Sequence, residues 1–186
     1  PKSKADLAFT MHMLSWLSTS GTAAIVEFPG VLYRGGAEAK IRKYLIDNNY
    51  VDAVIQLPPD LFFGTTIATC IVVLKKSKKD NKTLFIDASA EFVRGGNKNK
   101  FSDENRKKIL NAFIERKDAE YFAKLVDNKT ISENDYNLAI SSYVTQKDTR
   151  EVVDIKELNT EIARIVARQN ELRTAIDKIV ADIEGK

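Results

Sequence analysis

The feature that most constrains this chain is a set of three apolar runs of strand length, two of which follow helical patterns. The runs are 22–28, 51–57 and 67–74, and the first is predicted to be a buried parallel strand. Amphipathic spacing predicts helices at 7–17 and 38–47, before the first and second runs. The third run follows the second too soon for a crossover helix, so we expect it to return antiparallel. The pattern predicts a layered α/β sheet.

The middle of the chain changes from strand patterns to helical ones. A short further strand is predicted at 82–87, and 118–149 is less regular and is predicted as mixed. Ser102 is a good helix N-cap with two acids behind it, which predicts a helix to about Arg116. The side chains of that helix expected to face inward are Ile109, Leu110 and Phe113.

The tail carries the clearest periodic signal. Apolar residues recur at alternating spacings of three and four, as at the a and d positions of a coiled coil. The seam consists of Ile155, Leu158, Ile162, Ile165, Gln169, Leu172, Ile176, Ile179 and Ile183. Either it packs on its own domain as an ordinary amphipathic helix, or it binds a helical partner. Sustained heptads with the polar Gln169 at an a position favour the partner.

Composition restricts the remaining classes. Lysine and arginine number 29 against 26 acids, and the net charge of +3 is too small to indicate nucleic acid by itself. Cys70 is the only cysteine and lies in an apolar run, so we expect a buried thiol in a reducing compartment, the cytosol. No apolar stretch approaches the roughly 20 residues of a membrane span, and we expect no membrane association.

The first residues enter a helical pattern almost at once, without a preceding strand. Pro1 is not an initiator methionine, and the apolar periodicity begins at Leu7. In a protein of alternating strands and helices, this is the pattern of a chain entered partway through. We therefore expect sequence upstream of this chain.

Several segments resemble one enzyme family in their order and spacing. They are Ala5-Asp-Leu-Ala-Phe9, Gly30-Val-Leu-Tyr-Arg-Gly-Gly36, Ile41-Arg42, Val54-Ile-Gln-Leu-Pro-Pro-Asp-Leu-Phe-Phe-Gly-Thr-Thr66, Ile71-Val-Val-Leu-Lys75, Asn134-Asp-Tyr-Asn-Leu138 and Tyr143-Val144. Together they resemble the amino-methyltransferase domain, specifically the C-terminal part of the modification subunit of a type I restriction-modification system.

The resemblance implies a fold and a division of the chain. The fold class is α/β: the C-terminal half of a Rossmann-like methyltransferase sheet with an antiparallel last strand, followed by a mainly helical region ending in a long coiled-coil-type helix. On this basis 1–90 is a partial catalytic domain with strands five to seven. Residues 91–150 form a mixed, mainly helical connecting region, and 151–186 a long amphipathic helix for subunit interaction.

The implied chemistry is transfer of a methyl group from S-adenosylmethionine to N6 of adenine in DNA, on a base flipped out of the duplex. The family uses a Gly-rich loop for the cofactor and an Asn/Asp-Pro-Pro-aromatic loop for the adenine amino group. This sequence has neither: Leu57, which precedes Pro58-Pro59, has no hydrogen-bond acceptor, and Gly35-Gly36 lacks the glycine pattern. We expect an adenine-specific methyltransferase in the intact subunit, with this chain alone inactive and binding no cofactor.

Three phenylalanines are candidates for ligand contacts. In relatives of this fold an aromatic residue between the sixth and seventh strands stacks on the extruded base, and Phe62 matches that position best. Phe63 is the competing candidate, and in the alternative interpretation both rings cap the sheet edge. Phe9 is a candidate for the adenine pocket of the cofactor, with a core role as its alternative.

Two basic clusters are candidates for contacts with DNA phosphates, which need no sequence readout. They comprise Lys75, Lys76, Lys78 and Lys79, and Arg94 and Lys98. A solvated loop is the competing interpretation for both. His12 has no companion at metal-ligand spacing, so we predict no metal site.

The resemblance also implies partners: the specificity and restriction subunits of the same system and double-stranded DNA. Two hypotheses follow. In the first, the chain contributes Phe62 and basic loops to a methyltransferase. In the second, the helical tail is an interaction module that binds the specificity subunit, and self-association through the same seam stays open.

Overall fold

A computed structural model of the chain describes residues 4–147 and 154–185. They fall into two compact units, one formed by the residues up to 147 and the other by the C-terminal helix. The first unit is a mixed sheet with helices on both faces. Among the described residues, no helix is long and apolar enough to cross a membrane.

The first unit contains most of the secondary structure. Its helices are α1 (Asp6–Trp16), α2 (Ala37–Asp47), α3 (Asp103–Glu115) and α4 (Asn128–Glu133). Its strands are β1 (Thr22–Glu27), β2 (Val51–Gln56), β3 (Cys70–Lys75), β4 (Lys82–Asp87), β5 (Val93–Gly95), β6 (Lys98–Lys100) and β7 (Ala123–Asp127). Short 3₁₀ turns lie at Pro29–Leu32 and Ile140–Ser142.

Five strands form the main sheet in the order β1-β3-β2-β4-β7. Strand β3 is antiparallel to both β1 and β2, while β2 is parallel to β4. The antiparallel return predicted from the short connection is therefore confirmed. Strand β7 pairs antiparallel with β4, so the region predicted as mixed adds a strand to the same sheet. Strands β5 and β6 form a separate hairpin.

The core has two layers because alternate side chains of each strand point to opposite faces. On one face, α1 and α2 contribute Leu7, Leu14, Leu45 and Ile46. On the other face, Ile109 and Phe113 of α3 pack against the side chains of β2 and β4. Cys70 begins β3, is buried as expected, and its thiol donates to the backbone oxygen of Glu27. Burial raises the pKa of this thiol to about 12.

Strand β1 departs from the sequence prediction. The run was predicted to be a buried parallel strand, and its direction does match that of β2. Its burial does not: along the strand, exposed and partly buried residues alternate, and Val26 is 48% exposed. The prediction was wrong because β1 is an edge strand among the described residues, with a neighbour on one side only. An apolar run alone does not distinguish an edge strand from a central one.

Helix α3 begins where the sequence predicts. Ser102 accepts a hydrogen bond from the Asn105 backbone N–H, and the Asn105 side chain accepts one from the Ser102 N–H, which forms a capping box. Ile109 and Phe113 face inward as expected, but Leu110 is 53% exposed, which corrects that part of the prediction. Helix α3 packs on the sheet along its apolar stripe only. Leu110 lies beside that stripe and is therefore exposed to solvent.

Arg42, a buried arginine of α2, connects the C-terminal part of this unit to its N-terminal part. Arg42 of α2 donates to the backbone oxygens of Val31, Arg34 and Tyr136. The Leu138 N–H donates to the oxygen of Leu32 at 2.8 Å. Burial lowers the pKa of the Arg42 guanidinium, and the neighbouring Glu38 opposes that shift. The bonds from Arg42 to Tyr136 and from Leu138 to Leu32 connect residues that lie about a hundred positions apart.

The second unit is one long helix, α5 (Ile155–Glu184). Asp154 caps its first turn by accepting from the N–H groups of Lys156 and Glu157, and Gly185 ends it with φ 68°. At 1.5 Å per residue the helix is about 45 Å long. It lies within the range 151–186 that was predicted as a long helix, of which residues 151–153 and 186 lie outside the described residues.

Candidate functional site

The carboxyl ends of β1 and β2 lie at the same end of the sheet, because both strands run opposite to β3. In open α/β sheets, ligands bind outside the carboxyl ends of parallel strands. The segment that follows β2 is the Phe62 loop, residues 57–69. This end of the sheet is therefore the place to look for a functional site.

The Phe62 loop presents two aromatic rings to solvent. Phe62 is 39% exposed and Phe63 is fully exposed. Pro58 and Pro59 end β2, since proline cannot donate to a strand ladder. Two residues of the loop have positive φ, Asp60 at 55° and Gly64 at 78°. The chain turns sharply on both sides of the phenylalanines, and this turn projects them from the sheet.

The hairpin formed by β5 and β6 holds this loop. The Asn99 side chain donates to the Pro59 oxygen at 2.8 Å, and the Asn99 N–H donates to the Asp60 oxygen at 3.0 Å. Lys98 Nζ donates to the Thr65 oxygen at 2.9 Å, on the other side of the aromatic pair. The hairpin thus binds the loop on both sides of the two phenylalanines.

The charges of the hairpin are directed at one carboxylate of the loop. Arg94 Nη1 lies 3.4 Å from one carboxylate oxygen of Asp60, and Lys98 Nζ lies 3.7 Å from the other. These two cations, predicted to contact DNA phosphates, therefore already have an acidic partner in the protein. The Arg94 side chain remains 55% exposed, so part of its charge faces solvent.

The other basic cluster lies at the opposite end of the sheet. Lys78 Nζ donates to the oxygen of Val51, the first residue of β2, and Lys76 Nζ donates to the Leu17 oxygen. Burial lowers the pKa of Lys78 to about 8. Lys75 is partly buried and Lys79 is exposed. Since β2 is about 17 Å long, this cluster and the Phe62 loop do not form one surface.

Phe9 and Glu27 line a small cavity beside β1. The cavity measures about 270 Å³, and its walls include Asp6, Phe28 and Thr69. Phe9 is 65% exposed, so it is not a core residue of this unit. Sites that enclose a small molecule measure about 300 to 1,000 Å³. At about 270 Å³ the cavity lies just below this range, and Phe9 gives it an aromatic wall.

Glu27 is a buried acid at this end of β1. Thr10 Oγ1 donates to Glu27 Oε1 at 2.6 Å, and only 6% of Glu27 is exposed. Burial raises the pKa of the Glu27 carboxyl; the Thr10 hydrogen bond lowers it by less, and the charges of Asp6 and Glu38 raise it further. The site thus contains an acid that holds its proton more tightly than a free glutamate.

This burial predicts a pH-dependent effect of Glu27→Gln. In the unfolded chain the carboxyl titrates near pH 4.5, and in the folded protein at higher pH. The wild type therefore loses stability as the pH rises from 4.5 through the folded pKa, because folding must then bury a negative charge. We expect thermal unfolding to show the variant melting about 2–4 °C higher at pH 8, the shift that about 1 kcal/mol produces in a domain of this size.

The control for this experiment is Glu115→Gln, which removes an exposed carboxyl. Its effect on the melting temperature should be small at every pH. At pH 4 the Glu27→Gln difference should also disappear, since both proteins are then neutral at this position. A difference that is the same at pH 4 and pH 8 would contradict the buried charge.

The seam of α5 is exposed within its unit. Its apolar members are between 48% exposed, at Leu158, and 80% exposed, at Ile183, and the helix has no buried residue. Gln169 lies among them and is exposed as well. An apolar stripe of this length on a lone helix is the kind of surface that binds another helix.

The described residues contain no group of three or more His, Cys, Asp and Glu side chains that could hold a metal ion. His12 lies on α1 with its ring 4.8 Å from that of Trp16. Both rings lie on the exposed face of α1.

Sequence reasoning missed Asn99 and Asp60. Neither residue belongs to an apolar pattern, and Asn99 stands between two lysines. The available signal is Gly96-Asn97, with φ 67° at Gly96, because glycine at the first central position is typical of a tight hairpin turn. It predicts the hairpin, but not the loop to which the hairpin binds.

Comparison with known proteins finds one matching family and several similar proteins. The family described as N-6 DNA Methylase matches residues 1–152. The type I restriction enzyme MpnII methylase subunit of Mycoplasma pneumoniae is 51% identical over 185 residues, which are 99% of this chain and 34% of that protein. The MjaVII methylase subunit of Methanocaldococcus jannaschii is 34% identical over 191 residues, 100% of this chain and 32% of that protein.

Solved structures agree with these sequence relatives. The crystal structure of the type I restriction-modification methyltransferase subunit from Streptococcus thermophilus has a TM-score of 0.76 and 48% identity, covering 77% of this chain and 31% of that one. The EcoKI M protein has a TM-score of 0.66 at 17% identity, covering 94% of this chain and 44% of that one, which shows a common fold. The chain spans about a third of the length of the curated relatives it matches.

Proposed function

This chain belongs to the N-6 DNA methylase family, and on that basis we propose that it serves as the C-terminal part of the modification subunit of a type I restriction-modification system. The intact subunit transfers a methyl group from S-adenosylmethionine to N6 of adenine in DNA. This segment contributes the loop that holds the flipped base. The observation that carries the proposal is the pair of exposed rings, Phe62 and Phe63, at the carboxyl end of β2.

The position of the loop supports this role. Strands β1, β3 and β2 correspond in this proposal to strands five, seven and six of a Rossmann-like methyltransferase sheet. An aromatic side chain between the sixth and seventh strands can then stack on a base outside the duplex. Phe62 is the better candidate because 39% of it is exposed, so it is held more firmly than Phe63, which is fully exposed.

The chain lacks the residues that would complete the chemistry. The family's Gly-rich and Asn/Asp-Pro-Pro-aromatic loops are absent from this sequence: Gly35-Gly36 lacks the glycine pattern, and Leu57, which precedes Pro58-Pro59, has no acceptor for an amino group. When bound in the intact subunit, S-adenosylmethionine supplies the methyl group. Phe9 is our candidate for a contact with its adenine ring, at the cavity beside β1.

Titration of S-adenosylmethionine tests whether the cofactor binds the complete subunit and not this chain alone. Isothermal titration calorimetry should detect binding to the complete subunit and no binding to the 186-residue chain, because the cofactor loop lies outside it. A mixture of the two proteins should give the heat of the complete subunit alone. Binding by the chain would mean that it contains a cofactor site of its own.

The second candidate function is subunit interaction through α5. The exposed seam from Ile155 to Ile183 supports it, and heptad spacing favours a helical partner. We propose that the partner is the specificity subunit, which determines the DNA target in such systems. The restriction subunit joins the same assembly. Self-association through the seam is the alternative, and mixing experiments with and without the specificity subunit distinguish the two.

DNA contacts complete the proposal. The exposed part of Arg94 is our candidate for a phosphate contact beside the Phe62 loop, with Lys98 next to it. The cluster around Lys79 lies at the other end of the sheet, so its proposed contacts would be with phosphates distant from the flipped base. Contacts of this kind strengthen binding without reading sequence.

A further inference from the structure

Asn99 is a buried polar residue in an otherwise accessible hairpin. It is 4% exposed, while its neighbours Lys98 and Lys100 are partly buried and exposed. A buried amide is costly unless its donors and acceptor are satisfied. Both ends of this one are: its amide nitrogen donates to Pro59, and its oxygen accepts from Arg94 Nη1 at 3.1 Å.

The Asn99 side chain binds the Phe62 loop at its two prolines. Pro58 and Pro59 have no N–H group, so the first arm of the loop can be fixed there only through its carbonyl oxygens. Asp60 has φ 55°, in the left-handed region that costs a non-glycine residue about 1 kcal/mol or more. The two hydrogen bonds from Asn99 end on the oxygens of Pro59 and Asp60.

The same hairpin fixes the other arm. Lys98 Nζ donates to the Thr65 oxygen, three residues after Phe62. Between the two points of attachment, Leu61 packs against the core cluster beneath α3. The backbone that carries Phe62 is therefore held by contacts on both sides of it.

We propose that the hairpin of β5 and β6 is a positioning element for the target base, with Asn99 as its principal positioning residue. Asn99 does not touch the base. It fixes the conformation of the Phe62 loop before DNA arrives, so that the ring of Phe62 is already in place when the base leaves the duplex. This inference rests on the proposed function of Phe62.

A double-mutant cycle in the complete subunit, assembled with its specificity subunit, tests the inference. Asn99→Ala should lower kcat for methyl transfer about tenfold, since small displacements of a positioned group have effects of this size. The KM for DNA should change less than threefold. If Asn99 acts through Phe62, the double variant F62A/N99A should be no slower than F62A alone, because coupled residues are not additive.

Two variants make the cycle specific. Asn97→Ala removes the same side chain from the exposed turn of the same hairpin and should leave kcat unchanged. Asn99→Asp keeps the size and the acceptor for Arg94 but loses the donor to Pro59, so it should be as slow as Asn99→Ala. It also takes the place of the alanine variant in the cycle if that protein does not fold. Deuterium uptake of residues 60–66 should rise in both Asn99 variants and not in Asn97→Ala.

The results distinguish the positioning role of Asn99 from the stacking role of Phe62. Full activity of Asn99→Ala, or losses that multiply in the double variant, would overturn the positioning role while leaving Phe62 as the stacking residue. Full activity of Asn99→Asp would show that the bond to Pro59 is not needed, and would overturn it too. Unchanged activity of Phe62→Ala would remove the proposed stacking role of Phe62, and the inference with it.

Discussion

Phe62→Ala in the complete subunit is expected to slow methyl transfer about ten- to a hundredfold. Stacking of a base on an aromatic ring contributes about 1–3 kcal/mol, and each 1.36 kcal/mol lost from the transition state is about a tenfold loss in rate. The loss should appear in kcat, because the ring acts after DNA has bound. Transfer of labelled methyl groups to unmodified genomic DNA measures it.

Phe63→Ala is the matched control, because it removes the same ring from the next position of the same loop. It is expected to retain most of the activity, since Phe63 is fully exposed and has no support from the core. Phe62→Trp should restore transfer, because tryptophan also offers an aromatic face. If Phe63→Ala were slower than Phe62→Ala, the stacking role would belong to Phe63. If both alanine variants were as active as the wild type, neither ring would be needed, and the proposal for this loop would end.

Placing aspartate at both Ile165 and Leu172 is expected to abolish capture of the specificity subunit. These residues occupy successive d positions of α5 and are 56% and 50% exposed. A helical interface would bury them, and an unpaired charge buried there costs several kcal/mol. Two such charges should reduce the affinity at least a thousandfold, by the rule of about 1.4 kcal/mol for each factor of ten. Co-purification of the two subunits measures it.

The control carries the same two charges on the opposite face of the helix. Ala167→Asp with Thr174→Asp has the same spacing, and both positions are exposed. This protein should bind as the wild type does, and circular dichroism should give both variants the same helix content. Retained binding by the seam variant would show that α5 does not contact the specificity subunit. Loss of binding by both variants would point to helix stability instead of the seam.

Most of the regular structure was predictable because it depends on local patterns. The limits of β2, β4 and α2 lie within one residue of those predicted, since apolar runs and amphipathic spacing reflect burial on one or both faces. The antiparallel direction of β3 followed from the length of its connection. Burial of β1 was not predictable, because it depends on which strand lies beside it and not on its own residues.

The candidate site was predictable only in part. Family resemblance identified Phe62 and Phe63, and the structure exposes both rings at the carboxyl end of β2. The partners of the basic residues depend on contacts between distant segments: Asp60 lies 34 positions before Arg94, and Val51 lies 27 before Lys78. No local pattern encodes those contacts, and Asn99 was missed for the same reason.

The burial of Cys70 has a practical consequence for following the loop in solution. Cys70 is fully buried and its pKa is raised to about 12, so at pH 7 almost none of it is present as the thiolate, the form that reacts with maleimides. For such reagents this chain is almost without a cysteine. A cysteine introduced by Phe63→Cys, at a fully exposed position, would therefore take up a fluorophore selectively. The dye would report the arrival of DNA at the neighbouring ring in real time.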